Sequence, residues 1–420
     1  MEPARIGLIG LGTMGAMLSL NIADNGFRIA VFNRTTSKTH DFMEMAGPLA
    51  ERIVPTETLK KFVKSIAKPR AIILMLPAGE TIDSQIAALR PLLDPEDLVI
   101  DAGNANFRDT ERRSKAAREA GEPFLGIGVS GGEEGARFGP AIMGGGEQKH
   151  WDQVKDVLEA ISAKYEGAPC ATYFGPGGAG HYVKTIHNGI EYADMQIIAE
   201  AYGVMRDGWK IPASECGEIF AKWNQGLLKS YLVEISGKIG AATDPDSKAP
   251  MLDIIMDRAG QKGTGRWTVI EAQHLGAPIT VIDAAVAARN TSALKPARVT
   301  GEEAFGASPD TLGKDRISQD QLEKALIAGK VICYAQGFDL LAAAGPAFDW
   351  PPLNLASIAQ VWREGCIIRS AMLNDMASAL DGAADRSLMH APHFTAILKD
   401  TVPSLRHTCL LYTSPSPRDS

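Results

Sequence analysis

The 420-residue chain has no run of about 18 apolar residues, the length a membrane-crossing helix needs. Its N-terminus passes from Met1-Glu2-Pro3-Ala4-Arg5 straight into a strand pattern, without the apolar core of a signal peptide. No membrane partner is therefore expected, and the cytoplasm is the default location. Cysteine is scarce. Cys170, Cys216, Cys333, Cys366 and Cys409 show neither CxxC nor zinc-ligand spacing, so reduced, mostly packed thiols and no metal centre are expected. Basic residues fall short of acidic ones, 43 against 50, giving a net charge of −7. That balance argues against a nucleic-acid partner and leaves room for a local basic pocket that takes an anion. What is present is ordinary for a globular protein: 45 % hydrophobic residues in a chain too long for one core, hence two or three domains.

The first of these reads as a nucleotide-binding domain. A short apolar strand from Arg5 runs into Gly10-Leu11-Gly12-Thr13-Met14-Gly15, and an amphipathic helix follows to about Asn25. This is GxGxxG between strand and helix: a tight turn, close approach of backbone to a pyrophosphate, and close packing of helix on strand, with the phosphates at the helix N-terminus. A second strand, Phe27 to Phe32, ends at Asn33-Arg34-Thr35. An NAD site would show a carboxylate there for the ribose 2′-hydroxyl, whereas Arg34 and Thr35 offer donors to a 2′-phosphate, so the expected cofactor is NADP. Further buried strands end at Leu76-Pro77-Ala78, at Asp101-Ala102-Gly103-Asn104 and at Ser130-Gly131-Gly132. The last can aim backbone N–H groups at a carboxylate.

From Gly180 the pattern becomes helical. Lys184, His187, Asn188 and Glu191 fall at i, i+3, i+4 and i+7, on one helix face, with Lys184 and Glu191 roughly 10 Å apart along the axis. A base and an acid at opposite ends of a short carbon chain is the simplest use of that spacing. His187, Asn188 and Gly189 are poor choices for a merely solvated face, and the glycine is expected to admit a ligand or a second backbone. Pro212, Ile219, Trp223, Gly226 and Leu228 recur as Pro351, Ile358, Trp362, Gly365 and Ile367, an internal repeat offset by about 139 residues. At that offset the four polar residues become Glu323, Leu326, Ile327 and Lys330, so the second copy keeps the scaffold without the constellation. Gly260-Gln261-Lys262-Gly263-Thr264 suits a phosphate but lacks P-loop spacing, which gives no reason to expect ATP; Arg289 is a second candidate anion clamp.

Taken together, these motifs are similar to those of the 6-phosphogluconate dehydrogenase family, the oxidative decarboxylases of the pentose phosphate pathway and gluconate utilisation. GLGTMG, NRT, DAGNANFRDTERR, GVSGGEEGAR, HYVKTIHNGIEYADMQ, GQKGTGRWT and AARNTS occur in family order from about Arg5 to Leu405. The resemblance implies an α/β Rossmann-type dinucleotide-binding domain (1–178) followed by an all-α, internally duplicated helical domain for substrate and dimerisation (179–408). It implies Lys184 as general base and Glu191 as general acid. Asn104, Ser130, Gly131, Gly132, His187 and Asn188 would hold the sugar acid, and Tyr192, Lys262, Thr264 and Arg289 its phosphate. The glycine turn, Asn33, Arg34, Thr35, Leu76, Pro77, Ala78 and Asn104 would face NADP. Oxidation at C3 would give a β-keto acid that loses CO2 without a metal and yields ribulose 5-phosphate, with Lys184 tuned towards about pH 7 to 8 to act as base.

The sequence departs from the family in two places. Leu76-Pro77-Ala78-Gly79 stands where members often have Val-Lys-Ala-Gly, so one cationic contact near the cofactor is missing. From Cys409 the chain reads CLLYTSPSPRDS, which continues no helical pattern and resembles the translated adapter of a sequencing library, so 409–420 is expected to be a non-native tail. Family members continue beyond this point into a tail that supplies an arginine and a histidine to the partner subunit's phosphate site, so the resemblance implies a homodimer in the full-length family and an impaired chain here. Two rivals share part of the pattern: another β-hydroxyacid dehydrogenase, acting on short acids without a phosphate, and a catalytically silent or impaired NADP-binding fragment. The cofactor reading is tested at Arg34. Arg34→Asp should move the ratio of kcat/KM for NADP over NAD towards NAD, because a charge-assisted contact becomes a repulsion; an unchanged ratio makes Arg34 an ordinary loop residue.

Overall fold

The computed structural model describes residues 2–306, 316–382 and 387–412. Its first unit, Met1–Thr185 with Phe348–Ile367, is organised by short, largely apolar strands, of which two inner ones, Ile6–Ile9 and Ala71–Leu74, are apolar at every position. An eight-stranded sheet runs in the order β10-β7-β6-β5-β4-β1-β2-β3, with β1 (Ile6–Ile9), β2 (Ile29–Phe32), β3 (Ile53–Thr56), β4 (Ala71–Leu74), β5 (Leu98–Asp101), β6 (Phe124–Ser130), β7 (Ala141–Gly146) and β10 (Ala171–Gly175). Two-residue strands β8 (Lys164–Tyr165) and β9 (Ala168–Pro169) form a separate small hairpin. All pairings in the large sheet are parallel except β6 with β7.

Alternation along the strands explains why the runs are continuously apolar. Ile6, Leu8, Ile29, Val31, Ile73 and Ile100 enter one buried cluster, whereas Ile9, Ala30, Ile72, Leu74 and Val99 enter another. A parallel sheet covered on both faces needs exactly such strands on both registers. The edge strand β3 went unnoticed in the sequence because Pro55 interrupts a four-residue run; an edge position tolerates it.

The second unit comprises Ile186–Ala347 and Ile368–Ser420 and, among its described residues, contains helices and no strand. The division between units falls inside the long helix Ala179–Gly203 instead of at residue 178, and residues 348–367 return to the first unit, where Ala141 N donates to the Gly365 carbonyl (2.8 Å). Within the second unit the helix Gln319–Phe348 runs against residues of the long helix. A Cβ at Gly337 would lie 2.4 Å from Ile190, and one at Gly329 would lie 3.4 Å from Ile197. By length and composition alone Gln319–Phe348 could cross a membrane, yet 83 % of its most apolar window is buried, as in the core helix of a globular unit. The repeat appears as a long helix followed by a short one ending at a buried tryptophan, first Ala213–Trp223 and then Leu355–Val361 with Trp362. The final helix Pro392–Tyr412 carries on through Cys409, where a stop was expected; Cys-Leu-Leu-Tyr contains no helix breaker. The remainder of the expected tail, 413–420, lies outside the described residues.

Asp194 on the long helix and Lys330 on Gln319–Phe348 form an ion pair with side-chain exposures of 1 % and 0 %. Ser230 Oγ lies 3.4 Å from the ammonium, and the second Asp194 oxygen has no partner among the described residues. Desolvating two charges costs several kcal/mol, and incomplete satisfaction leaves that cost only partly offset. Lys330→Met should therefore destabilise the fold by about 3–5 kcal/mol by stranding a carboxylate, whereas adding Asp194→Leu should restore most of the loss. Urea denaturation midpoints check this; a double variant no more stable than the single one contradicts it.

Candidate active site

Glycine positions determine where the site's backbone can go. Gly10, at φ 106°, turns the chain out of β1, and a Cβ there would lie 2.4 Å from the Met75 carbonyl. A Cβ at Gly15 would lie 1.8 Å from the Gly10 carbonyl, so the helix Thr13–Asp24 packs on its strand only because no side chain intervenes. Gly12 differs from both: it is exposed, and a Cβ there would meet nothing within 4 Å. It precedes the helix without a side-chain cap, which leaves open space in front of the first-turn N–H groups. Leu11 N donates to Asn33 Oδ1 (3.0 Å) and Asn33 Nδ2 donates to the Thr35 carbonyl (3.0 Å), tying the glycine turn to the loop that bears Arg34 and Thr35, both exposed. Thr13 is exposed and Met14 half-buried in the same turn. Leu76 is half-buried, Pro77 and Ala78 are exposed, and a Cβ at Gly103 would lie 2.7 Å from the Leu76 carbonyl. The loops after β1, β4 and β5 thus converge at the carboxyl edge of the sheet, with Asn104 exposed.

In the same unit the long helix begins on a bed without side chains. A Cβ at Gly180 would lie 2.4 Å from the Met143 carbonyl, one at Gly145 would lie 2.4 Å from Gly180 N, and one at Gly128 would lie 2.4 Å from Lys184 Cβ. That proximity buries Lys184 to 6 % exposure and lets its Nζ donate to Ser130 Oγ (3.1 Å) at the end of β6. Gly131, at φ 116°, turns the chain away beneath the Gly365 carbonyl, and Gly132 is exposed beyond it.

Within the second unit His187, Asn188, Glu191 and Tyr192 follow on the same helix. His187 is fully buried, with Nδ1 2.9 Å from Asn188 Oδ1 and 3.8 Å from Glu191 Oε2; as the amide oxygen only accepts, Nδ1 is assigned the proton. Asn188 Nδ2 donates to Thr264 Oγ1 (2.9 Å), which starts the helix Thr264–Leu275. Arg289 lies 3.8 Å over the Tyr192 ring and donates to the Gly260 carbonyl (3.0 Å), so its guanidinium is held by both. Lys262 is exposed on the loop before Thr264. Gly189, expected to admit a ligand or a second backbone, instead admits a side chain: a Cβ there would lie 2.5 Å from the Thr268 side chain.

Sequence reasoning passed over His181, one turn before Lys184. It is 1 % exposed; Thr110 Oγ1 lies 2.8 Å from its Nδ1 and the Gly103 carbonyl 3.0 Å from its Nε2. Its position at i−3 from Lys184 was the available signal. Asp101 and Arg113 were passed over as well. Arg113 donates to Asp101 Oδ2 (3.3 Å), to Asp83 and to the Gly79 carbonyl, while Gly103 N donates to Asp101 Oδ1 (3.1 Å).

Comparison with known proteins agrees with this geometry. Residues 5–175 match the NAD binding domain of 6-phosphogluconate dehydrogenase and residues 180–414 match the 6-phosphogluconate dehydrogenase C-terminal domain. The NADP(+)-dependent, decarboxylating 6-phosphogluconate dehydrogenase of Bacillus subtilis (strain 168) is 45 % identical over 384 residues, covering 91 % of this chain and 81 % of that protein. The solved 6-phosphogluconate dehydrogenase of Plasmodium falciparum, described with NADP+ and with 6-phosphogluconate, superposes with a TM-score of 0.91 at 40 % identity, covering 97 % of this chain and 88 % of that one. A 3-hydroxyisobutyrate dehydrogenase of Mycobacterium tuberculosis shares the fold alone, with a TM-score of 0.51 at 20 % identity over 73 % of this chain and 96 % of that one. With both portions matched and high identity over nearly the whole length, the chain belongs to the 6-phosphogluconate dehydrogenase family.

Proposed function

We infer that the chain oxidises 6-phosphogluconate and decarboxylates it to ribulose 5-phosphate and CO2 with reduction of NADP. The observation that carries this reading is Lys184, buried and bonded to Ser130, on a helix that bears Glu191 two turns later. The residues present fit the cofactor, because the space in front of Gly12 at an uncapped helix start suits a pyrophosphate. Gly10 to Gly15 would hold that group, Asn33, Arg34 and Thr35 the 2′-phosphate end, and Leu76, Pro77, Ala78 and Asn104 the remainder. When bound, NADP takes up the hydride that leaves C3.

Neutral Lys184 accepts the proton of the 3-hydroxyl, and the bond to Ser130 gives its amine a fixed direction. As an ammonium, the same group then polarises the C3 carbonyl while the carboxylate leaves as CO2. Glu191 delivers a proton to C1 of the resulting enediol, the former C2. Ser130, Gly131, Gly132, Asn104, His187 and Asn188 hold the sugar acid, and Tyr192, Lys262, Thr264 and Arg289 its phosphate. The first unit serves mainly the cofactor, and the second serves the substrate and a homodimer in the cytoplasm. The cation placed over Tyr192 and the hydroxyl bonded to Asn188 support a phosphorylated substrate over a short, unphosphorylated acid.

NADPH formation with 6-phosphogluconate against 3-hydroxyisobutyrate tests the substrate class; a preference for the latter overturns it. Lys184→Met should lower kcat by about 10³-fold with NADP binding nearly intact, since general-base catalysis contributes about 10²–10⁴-fold. Turnover equal to the parent's would remove Lys184 from its role. Glu191→Gln should slow product formation more than it weakens substrate binding, and an effect confined to KM would contradict a proton-donor role.

A further inference from the structure

The long helix carries a buried histidine, His181, that the chemistry above does not use. His181 sits between two different partners in the first unit. A backbone carbonyl can only accept, so the contact to Gly103 requires a proton on Nε2. In the neutral ring Nδ1 is then a bare acceptor, and the Thr110 hydroxyl 2.8 Å away donates to it in preference to the more distant Asn106 carbonyl at 3.3 Å. Burial pushes the imidazole below its ordinary range, which favours the neutral ring, and the Gly103 carbonyl then selects the tautomer with the proton on Nε2.

Each partner stands on a different element. Thr110 is in the first turn of the helix Phe107–Glu119, whereas Gly103 is in the turn after β5, next to Asn104. That turn is also gripped from its other side: Gly103 N donates to Asp101, Asp101 accepts from Arg113, and Arg113 reaches the Gly79 carbonyl in the loop after β4. A Cβ at Gly126 would lie 2.9 Å from His181 Nδ1, so the ring fits against β6 only because that position carries no side chain.

We propose that His181 is a positioning residue, which registers the Gly103–Asn104 turn against the helix turn bearing Lys184 so that the base and the cofactor-side loop hold one spacing during hydride transfer. The inference rests on Lys184 as the base. A fixed link between two reacting partners matters because a misplacement of about 1 Å can cost on the order of 10²-fold in rate. Gln at 181 can place an amide N–H near Nε2 and keep the bond to Gly103, while Asn can reproduce only the Nδ1 position facing Thr110.

The test compares His181→Leu, His181→Gln, His181→Asn and Thr110→Val with Lys184→Met in the full chain, using 6-phosphogluconate deuterated at C3. His181→Leu should lower kcat by about 10- to 100-fold with both KM values moving less than threefold, and the deuterium isotope effect on kcat should rise. His181→Gln should recover most of kcat, His181→Asn should not, and Thr110→Val should lose about three- to tenfold. In the cofactor-free protein, ¹⁵N-histidine spectra should show His181 as the neutral Nε2–H tautomer. Equal rescue by Gln and Asn, a parent-like kcat and isotope effect in His181→Leu, or a different tautomer each overturns the proposal. If Lys184→Met stays active, the base assignment itself has failed; if Lys184→Met is dead and His181→Leu behaves as the parent, only the positioning role has. Should the leucine variant not fold, the Gln–Asn pair and Thr110→Val still decide the question.

Discussion

The absence of side chains at Gly128, Gly145 and Gly180 lets a helix backbone lie directly on strand backbone, and the placement of Lys184 follows from that contact. A methyl group at any of the three would fall about 2.4 Å from an atom of the opposing segment, well inside van der Waals contact. Lys184 is thus located by main chain, which is stiffer than a lysine side chain with four rotatable bonds. Ser130 needs only to orient the last atom. Glycine costs helix stability, but at residue 180 it stands in the first turn, where the helix is supported by the strands beneath it.

A second constraint is the burial of charge. Asp101 and Arg113 are both nearly inaccessible, and each is bonded more than once, so desolvation is offset by directed hydrogen bonds that tie together loops at the carboxyl edge of the sheet. Asp194 and Lys330 do the equivalent between two helices of the second unit with fewer partners. Apolar pairs of equal volume would hold those elements with less desolvation, but without fixing their rotation and register as directional bonds do.

Much of this was legible in the sequence because the signals were local. The glycine turn, the period-two strands and the polar helix face each lie within about 20 residues, where spacing alone determines which side chains share a surface. Family motifs then gave names to the roles of Lys184 and Glu191. What escaped depended on distance along the chain. His181 was read as a helix residue because neither Thr110 nor Gly103 is near it in sequence. Asp194 and Lys330 are 136 residues apart, and the repeat alignment had set Lys330 opposite Glu191, which obscured its true partner. Gly189 was misread for a related reason: a glycine in a helix announces a close neighbour without saying whether that neighbour is a ligand or, as here, Thr268.

The return of residues 348–367 to the first unit bears on how such a chain can be divided or recombined. The polypeptide crosses between its two compact units at residues 185/186, 347/348 and 367/368, so no single cut releases either one whole. A piece ending near residue 178 would carry the loops after β1, β2, β4 and β5 yet lack the carbonyl of Gly365 that accepts from Ala141, and the helix Leu355–Val361 that packs on β7 and β10. The nucleotide-binding half is therefore not a portable cassette: its inheritance is bound to the helical repeat that supplies its last piece, and exchange of the first portion between relatives has to preserve the fit of a segment encoded some 170 residues downstream.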